Sequence, residues 1–139
     1  MASESPHGDI QGVLARWSHL LDDRDYEHLV ELLTPDAVMH FPSGVEHVGR
    51  AAIRDAVAAV QPERPIKHLM GLPDIELISE SEAIARTDMV SFILEAEGGL
   101  RTGVASRYFD RLRLVDGRWM FEARWMRAPG TPGVDAADL

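Results

Sequence analysis

Residues 99–127 read GLRTGVASRYFDRLRLVDGRWMFEARWMR, and the pattern of this stretch decides the fold. The pair Asp116-Gly117 separates two apolar-patterned flanks, which is the strongest short-range signal of a β-hairpin. Apolar side chains recur with a period of two on both sides of the pair, as is typical of strands with one buried face. The stretch therefore predicts two long antiparallel strands, whose buried face the rest of the chain must cover.

The second strand of this hairpin carries the largest side chains. Trp119, Phe121 and Trp125 fall at alternate positions, so simple alternation turns them toward the core and turns Arg124 away from it. On the first strand, alternation places Phe109 on the face that points away from the core. Three arginines share that face with it: Arg107, Arg111 and Arg113. We interpret that face as a solvated or subunit-facing surface.

Composition limits the classes of function. A chain of 139 residues is of single-domain size, and its net charge of -9 argues against binding to nucleic acid. The absence of cysteine excludes disulfides and thiolate metal sites and fits a reducing compartment. Residues 1–8 lack the apolar core of a signal peptide, and no apolar run approaches the ~20 residues of a membrane helix. We therefore expect a cytoplasmic protein without a membrane span.

The remaining chain divides into helices first and strands afterwards. Residues 1–8 are expected to form a flexible lead, residues 9–127 a single domain, and residues 128–139 a loose Pro/Gly-rich tail. The spacing predicts helices over 10–22, 26–33 and 51–60, and strands over 37–41, 45–48, 66–78 and 83–94 ahead of the hairpin. Helices segregated from consecutive antiparallel strands define an α+β domain. We expect a curved antiparallel sheet wrapped around three helices, forming a cone with an apolar pocket.

Four segments in this order resemble one family. LLDDRDYEHLVELLTPDAVMHF, VGRAAIRDAV, IKHLMGLPDIEL and SRYFDRLRLVDGRWMFEAR are similar to the SnoaL-like families of the nuclear transport factor 2-like superfamily, a cone-shaped α+β fold. The resemblance covers about residues 10–127. In layout the sequence is most similar to the branch of dehydrochlorinase, scytalone dehydratase and bile-acid dehydratase enzymes.

The resemblance implies a site as well as a fold. That branch uses a histidine as general base, oriented by an aspartate at the end of the first helix, and the matching positions are His68 and Asp22. It also places Arg124 in the pocket. The remaining pocket positions that it implies are Trp17, Met39, Ile66, Met70, Met89, Ser91, Val104, Ser106 and Tyr108.

The chemistry of the residues supports this assignment with open alternatives. His68 alternates with Ile66 and Met70, so it points where two apolar side chains point, and a buried imidazole needs a partner for its N–H. A carboxylate on one ring nitrogen leaves the other free to accept a proton. A purely structural core histidine is the alternative. Asp22 lies beyond the edge of its helix's apolar stripe, Asp23 is an alternative partner, and a β-bulge is one way to bring Arg124 inside.

These observations favour a cofactor-independent lyase or isomerase acting on a small apolar, cyclic or polyketide-like substrate. Tyr108, Ser106 or Arg124 would stabilise the oxyanion formed when His68 removes a proton. No His/His/carboxylate set has metal spacing and no dinucleotide or phosphate motif occurs, so we expect neither metal nor cofactor. The alternatives are a non-catalytic binder of apolar molecules and an association module. We expect a homodimer formed through the outer face of the sheet.

Overall fold

The computed structural model describes residues 5–139, in which three α-helices pack against a single curved sheet. The helices are α1 (Pro6–Asp22), α2 (Tyr26–Val30) and α3 (Arg50–Ala59). The strands are β1 (Leu33–His40), β2 (Glu46–Val48), β3 (Ile66–Met70), β4 (Asp74–Leu77), β5 (Glu82–Leu94), β6 (Leu100–Val115) and β7 (Arg118–Arg127). A short 3₁₀ helix (Ala136–Asp138) lies near the carboxyl end. No helix within residues 5–139 is both long and apolar enough to cross a membrane.

The sheet has seven strands in the order β2-β1-β7-β6-β5-β3, with β4 also paired to β5. All pairs are antiparallel except β1 and β7, which run parallel. The helices supply the cover that the hairpin requires, because the buried stripe of α1 joins the concave face of the sheet in one core. The predicted α+β class and curved sheet are confirmed.

The predicted hairpin is also confirmed, as β6 and β7. Asp116 and Gly117 have φ angles of 48° and 76°. Two consecutive positive φ angles belong to a type I′ turn, whose twist matches that of the strands it joins. The pair therefore sets the register at the start of the β6–β7 ladder.

Several predicted boundaries are wrong for local reasons. Helix α1 begins at Pro6 rather than at residue 10, because Ser5 caps it by accepting a hydrogen bond from the main-chain N of Gly8 at 3.2 Å. Residues 6–8 of the expected lead are therefore helical, while residues 1–4 lie outside the described part. Helix α2 ends at Val30 because Leu33 already begins β1. The single strand predicted over 66–78 is two strands, β3 and β4, separated at Gly71-Leu72-Pro73.

A β-bulge in β7 overturns the predicted alternation of its side chains. Arg111 pairs with Ala123 but the next residue of β6, Leu112, pairs with Phe121, so that Glu122 is the extra residue. An extra residue shifts the two-residue alternation by one position. Every side chain after it therefore lies on the opposite face of the sheet from the one expected. Phe121 lies in the core against Trp17, whereas the residues after the bulge have the opposite alternation from that expected.

Trp125 shows the consequence of the bulge most directly. The prediction that it shares a face with Trp119 and Phe121 is wrong, because it packs instead on the outer face with Phe109. Its ring also stacks on His40, with centroids 4.3 Å apart. The aromatic layer is thus divided between the two faces of the sheet.

The carboxyl-terminal tail, expected to be loose, is packed on this outer face. Val134 and Leu139 are buried beside Ile84 and Phe109. Arg111 Nη1 donates to the main-chain oxygen of Leu139 at 2.6 Å. Two apolar side chains and a charge-assisted hydrogen bond thus hold a segment that its Pro/Gly composition predicted to be loose. The tail therefore covers the apolar part of the surface expected to face a second subunit.

Candidate active site

The site is built where the end of α1 meets the middle of β3. Asp22 is the last residue of α1, and His68 is the central residue of β3, 46 positions further along the chain. Arg24, just past the helix end, donates to the main-chain oxygens of Pro62 and Arg64 in the loop before β3. These bonds tie the helix end to the strand and bring the two side chains together.

Asp22 binds both the ring and the backbone of His68. Nδ1 of His68 lies 2.6 Å from Oδ1 of Asp22, and the main-chain N of His68 donates to Oδ1 and Oδ2 at 3.0 and 3.1 Å. The two side chains are 7% and 8% exposed, so water competes little for these bonds. Lys67 Nζ, 3.3 Å from Oδ2, supplies a balancing positive charge at the surface. The carboxylate is therefore held in one orientation from three sides.

This arrangement determines the tautomer of the ring. An ionised carboxylate only accepts hydrogen bonds, so Nδ1 carries the proton and Nε2 presents a lone pair. Nε2 makes no hydrogen bond to residues 5–139 and is not a fully occluded atom, and His68 is one of the residues that line the adjacent cavity. A neutral ring held in this way would have Nε2 available to accept a proton.

The cavity beside His68 has a volume of about 350 Å³ and an apolar lining. Among residues 5–139 no Asp, Glu, Lys or Arg lines it, and His68 and Tyr108 are the titratable residues of the lining in that range. The residues expected at the pocket that line it are Trp17, Met39, Ile66, His68, Met89, Ser91, Val104 and Tyr108. Such a cavity favours a small, neutral and largely apolar ligand.

The sequence reasoning missed part of the lining. Val57 and Gln61, from α3 and the loop after it, close one side of the cavity, and Phe41 and Met126 also line it. The inward stripe of α3 was a signal for Val57. Met126 had no such signal, because it reaches the cavity only through the reversal of alternation after the bulge.

Three predicted pocket residues lie outside the cavity lining, and Asp22 lies behind His68. The three are Met70, Ser106 and Arg124. The hydroxyl of Ser106 is occluded and has no hydrogen-bond partner in the described part of the chain. It is therefore buried beside the site without opening on the ligand space.

Arg124 points into the protein interior, but toward other protein groups. The bulge turns its side chain inward, where it is 1% exposed, and Nε and Nη2 donate to the two carboxylate oxygens of Asp110 at 2.7 and 2.8 Å. Its guanidinium carbon lies 3.9 Å from the ring centroid of Tyr108, 4.6 Å from that of Trp17 and 4.3 Å from that of Phe121. The β-bulge suggested from the sequence as a way to bring Arg124 inside is thus present.

Ser91 lines the cavity but already uses its hydroxyl. Its Oγ accepts from the main-chain N of Val104 at 2.8 Å, beside a register shift between β5 and β6. A Cβ added at Gly103 would lie 2.5 Å from this oxygen, so the close approach requires glycine. We therefore assign Ser91 a structural part in shaping the cavity wall.

Tyr108 is the other polar group in the cavity. Burial raises the pKa of its phenol, and the guanidinium of Arg124 is the strongest influence that lowers it. The hydroxyl therefore stays protonated at neutral pH and is available as a hydrogen-bond donor to a ligand oxygen.

A curved, mostly antiparallel sheet that encloses three helices and an apolar cavity defines the class as a cone-shaped α+β domain. The chain belongs to the SnoaL-like domain family, whose model matches residues 6–125. The resemblance to the SnoaL-like family that was stated from the sequence is thus confirmed. Comparison with curated proteins gives no significant match.

Solved structures share the fold over nearly the whole chain. Aln2 from a Streptomyces species superposes with a TM-score of 0.84 at 17% identity, covering 89% of this chain and 92% of that one. A putative scytalone dehydratase from Novosphingobium aromaticivorans has a TM-score of 0.77 at 23% identity, with coverages of 92% and 87%. A protein from Catenulispora acidiphila, solved in complex with S-DNPA, has a TM-score of 0.77 at 25% identity, with coverages of 87% and 91%.

Proposed function

We propose that this protein is a cofactor-independent lyase or isomerase that removes a proton beside a carbonyl group of a small, neutral, cyclic or polyketide-like substrate. The observation that carries the proposal is the 2.6 Å contact between Asp22 and the Nδ1 of a histidine that lines an apolar cavity. One nitrogen is bonded to a carboxylate and the other opens on the ligand space, as a general base requires.

The proton transfer would proceed from substrate carbon to His68 Nε2. The imidazole becomes an imidazolium, and the adjacent carboxylate of Asp22 stabilises that charge without accepting the proton. The electron pair of the broken C–H bond moves into the carbonyl, which becomes an enolate. The low exposure of both side chains strengthens this stabilisation, because little water screens the charges.

Tyr108 would stabilise the enolate oxygen. Its hydroxyl is protonated at neutral pH for the reasons given above and belongs to the same cavity as His68. One such donor contributes about 10²–10³-fold in rate in well-studied enzymes. In an elimination, the imidazolium then returns its proton to a departing β-hydroxyl, which leaves as water, and a conjugated enone remains. In an isomerisation, the same proton returns to a different carbon.

The cavity supports the substrate class. A volume of about 350 Å³ is at the small end of ligand sites, and a lining without charged side chains disfavours a carboxylate or phosphate group. Structural neighbours support it too, since one is described as a putative scytalone dehydratase and another was solved in complex with S-DNPA.

A non-catalytic binder of the same ligands is the second candidate, and the methionines of the cavity favour it. Met39, Met89 and Met126 are adaptable apolar side chains that accommodate ligands of varied shape. A binder releases its ligand unchanged, whereas an enzyme exchanges or converts it. The next experiment measures this difference.

The test is exchange of α-hydrogens for deuterium in a panel of neutral cyclic ketones and β-hydroxy ketones, followed by NMR in D₂O. Exchange reports proton removal whether or not a leaving group departs. We expect His68→Gln to lower the rate by ~10²–10⁴-fold, with His40→Gln as the control because His40 stacks on Trp125 outside the cavity. Equal exchange in wild type and His68→Gln would overturn the mechanism. Retained binding by native mass spectrometry, with no exchange in wild type, would favour the binder.

A further inference from the structure

The ion pair of Asp110 and Arg124 lies beneath the cavity and has no part in the proton transfer described above. Asp110 is fully buried and Arg124 is 1% exposed. Replacing a buried ion pair by apolar side chains is often neutral or stabilising, so its presence in a core is weak support for a role in stability alone. The contacts of the pair indicate a different role.

The guanidinium of Arg124 is only partly compensated. Nε and Nη2 bind the two oxygens of Asp110, but Nη1 is occluded and has no hydrogen-bond partner in the part of the chain that the structure describes. The remaining contacts of the cation are aromatic faces, and the shortest is to the ring of Tyr108 at 3.9 Å. A cation over an aromatic face is attracted by the ring's electron density.

Arg124 contacts the ring face of Tyr108, and Tyr108 is also the residue whose hydroxyl is proposed to bind the substrate oxygen in the cavity. A cation stacked on a phenol stabilises electron density that flows into the ring, and ionisation or strong hydrogen-bond donation by the hydroxyl increases that density. Arg124 thus acts on the strength of the donor without reaching the ligand space, where the resemblance had implied that it would lie.

We propose that the Asp110–Arg124 ion pair is a positioning device for Tyr108, which fixes the phenol ring at the cavity and strengthens its hydroxyl as a donor to the substrate oxygen. The proposal rests on the proposed function for its catalytic part and on geometry for the rest. Arg124 is a positioning residue here, and Tyr108 is the group that touches the substrate.

The charges around Tyr108 come from identifiable elements. Arg124 on β7 favours the ionised phenol, whereas Asp110 on the same strand as Tyr108 and Asp22 on α1 oppose ionisation. His68 on β3 lines the same cavity, and β5 places an uncharged threonine across from the tyrosine. Removing one member of the ion pair should therefore shift the titration of Tyr108 in a direction set by the charge that remains.

The test reads the titration of Tyr108 directly. The chain has two tyrosines, so a Tyr26→Phe background leaves Tyr108 alone. Incorporation of 3,5-difluorotyrosine lowers the phenol pKa into an accessible range, and ¹⁹F NMR follows its ionisation while circular dichroism checks the fold. Asp110→Asn should lower the pKa of the residue at 108, because an uncompensated guanidinium remains. Asp110→Asn combined with Arg124→Met should raise that pKa above the parent value, because the stronger influence is removed.

The two variants are expected to shift the pKa of the residue at 108 in opposite directions, so the proposal stays testable if one of them does not fold. The control is Asp88→Asn, which breaks the exposed pair formed with Arg107 and should leave the titration unchanged. Coincident titrations of parent, Asp110→Asn and the double variant would overturn the proposal.

Exchange kinetics then test the catalytic part. In the double variant kcat should fall by about tenfold while KM changes little, because a weaker donor acts mainly in the transition state. A change in KM alone, with kcat unaltered, would contradict the role assigned to the pair. An absence of exchange in wild type would end the proposed function but leave the titration result interpretable, so the two failures are distinguishable.

Discussion

The carboxylate of Asp22 accepts hydrogen bonds from both the ring Nδ1 and the main-chain N of His68, at 2.6 and 3.0 Å. The hydrogen bond from the backbone of His68 fixes the orientation of the carboxylate that binds the ring. It holds the carboxylate relative to the strand that carries the imidazole, so that rotation of either side chain breaks at least one bond. A structural histidine needs only one partner, whereas a base needs a partner that also leaves its second nitrogen open.

Asp22→Asn should abolish the base function while keeping the fold. The amide can still accept from the backbone of His68, but its NH₂ group can donate to Nδ1 and so stabilise the wrong tautomer. We expect α-hydrogen exchange to fall by ~10²–10⁴-fold, and ¹⁵N NMR of the imidazole should show the proton moving from Nδ1 to Nε2. Asp23→Asn is the matched control, since Asp23 is exposed at the adjacent position. Loss of exchange in the control but not in Asp22→Asn would contradict the assignment.

Gly103→Ala should destabilise the cavity wall. The added Cβ would lie 2.5 Å from Ser91 Oγ, which is itself bound to the main-chain N of Val104. We expect a loss of about 1–3 kcal/mol in the free energy of unfolding, measured by urea denaturation. Gly99→Ala is the control, because within residues 5–139 no atom beyond its chain neighbours lies within 4 Å of the added Cβ.

A double-mutant cycle isolates the contact. Combined with Ser91→Gly, the Gly103→Ala change should cost less than it does alone, because the oxygen that it strikes is gone. Equal costs in the two backgrounds would show that the loss arises elsewhere.

His40 should make the protein less stable as the solution becomes acidic. Burial lowers its pKa, Arg127 lowers it further, and Glu46 opposes them. A folded-state pKa below the unfolded value of about 6.5 means that the unfolded chain binds the proton first. The free energy of unfolding therefore falls as pH drops from about 7 through the folded pKa of His40. His40→Gln should reduce this fall, as measured by urea midpoints at about pH 7.5 and about pH 5.5, on either side of the unfolded pKa.

His28 provides a control of opposite sign. Its hydrogen bond to Asp25 raises its pKa, so its contribution is present at low pH and is lost as pH rises through the raised value. His28→Gln should thus make the free energy of unfolding fall more steeply as the pH drops. If the two variants shift the pH dependence in the same direction, the assignment of these effects is wrong.

Removal of residues 129–139 should make the protein associate more strongly. The tail buries Val134 and Leu139 against Phe109, and each apolar side chain contributes roughly 1.5–3 kcal/mol when fully buried. Its loss exposes an apolar patch around Phe109 and Trp125, which self-association can bury. Light scattering of the full and truncated chains over the same concentrations measures the difference. Identical apparent masses would count against it.

The homodimer predicted from the sequence stays a prediction, and the same measurement addresses it. Phe109, which suggested the interface, is covered within the chain by the tail. A dimer through the outer face must therefore use other residues of that face or displace the tail. A full-length chain that scatters as a dimer, with the tail still protected from protease, would favour the former.

Much of the architecture could be predicted because its signals are local. The Asp116-Gly117 turn, the two-residue period of β6 and the apolar stripe of α1 each involve residues close in sequence. The order of the segments also allowed the family to be identified, and with it the pairing of Asp22 with His68, which no local pattern contains. Helix ends were less predictable, because Ser5 extended α1 by one turn and the start of β1 shortened α2.

By itself, then, the sequence determined the three helices, the hairpin, the order of helices and strands, and the residue types that proton chemistry needs. Only the tertiary structure decided which face of the sheet each side chain of β7 occupies, because the extra residue at Glu122 depends on the register with β6 and not on the local pattern. That one residue sends Trp125 outward to the tail and Arg124 inward to Asp110 and Tyr108. Side-chain alternation can be predicted from one strand alone. Which face the side chains occupy after a bulge depends on how that strand pairs with its neighbour.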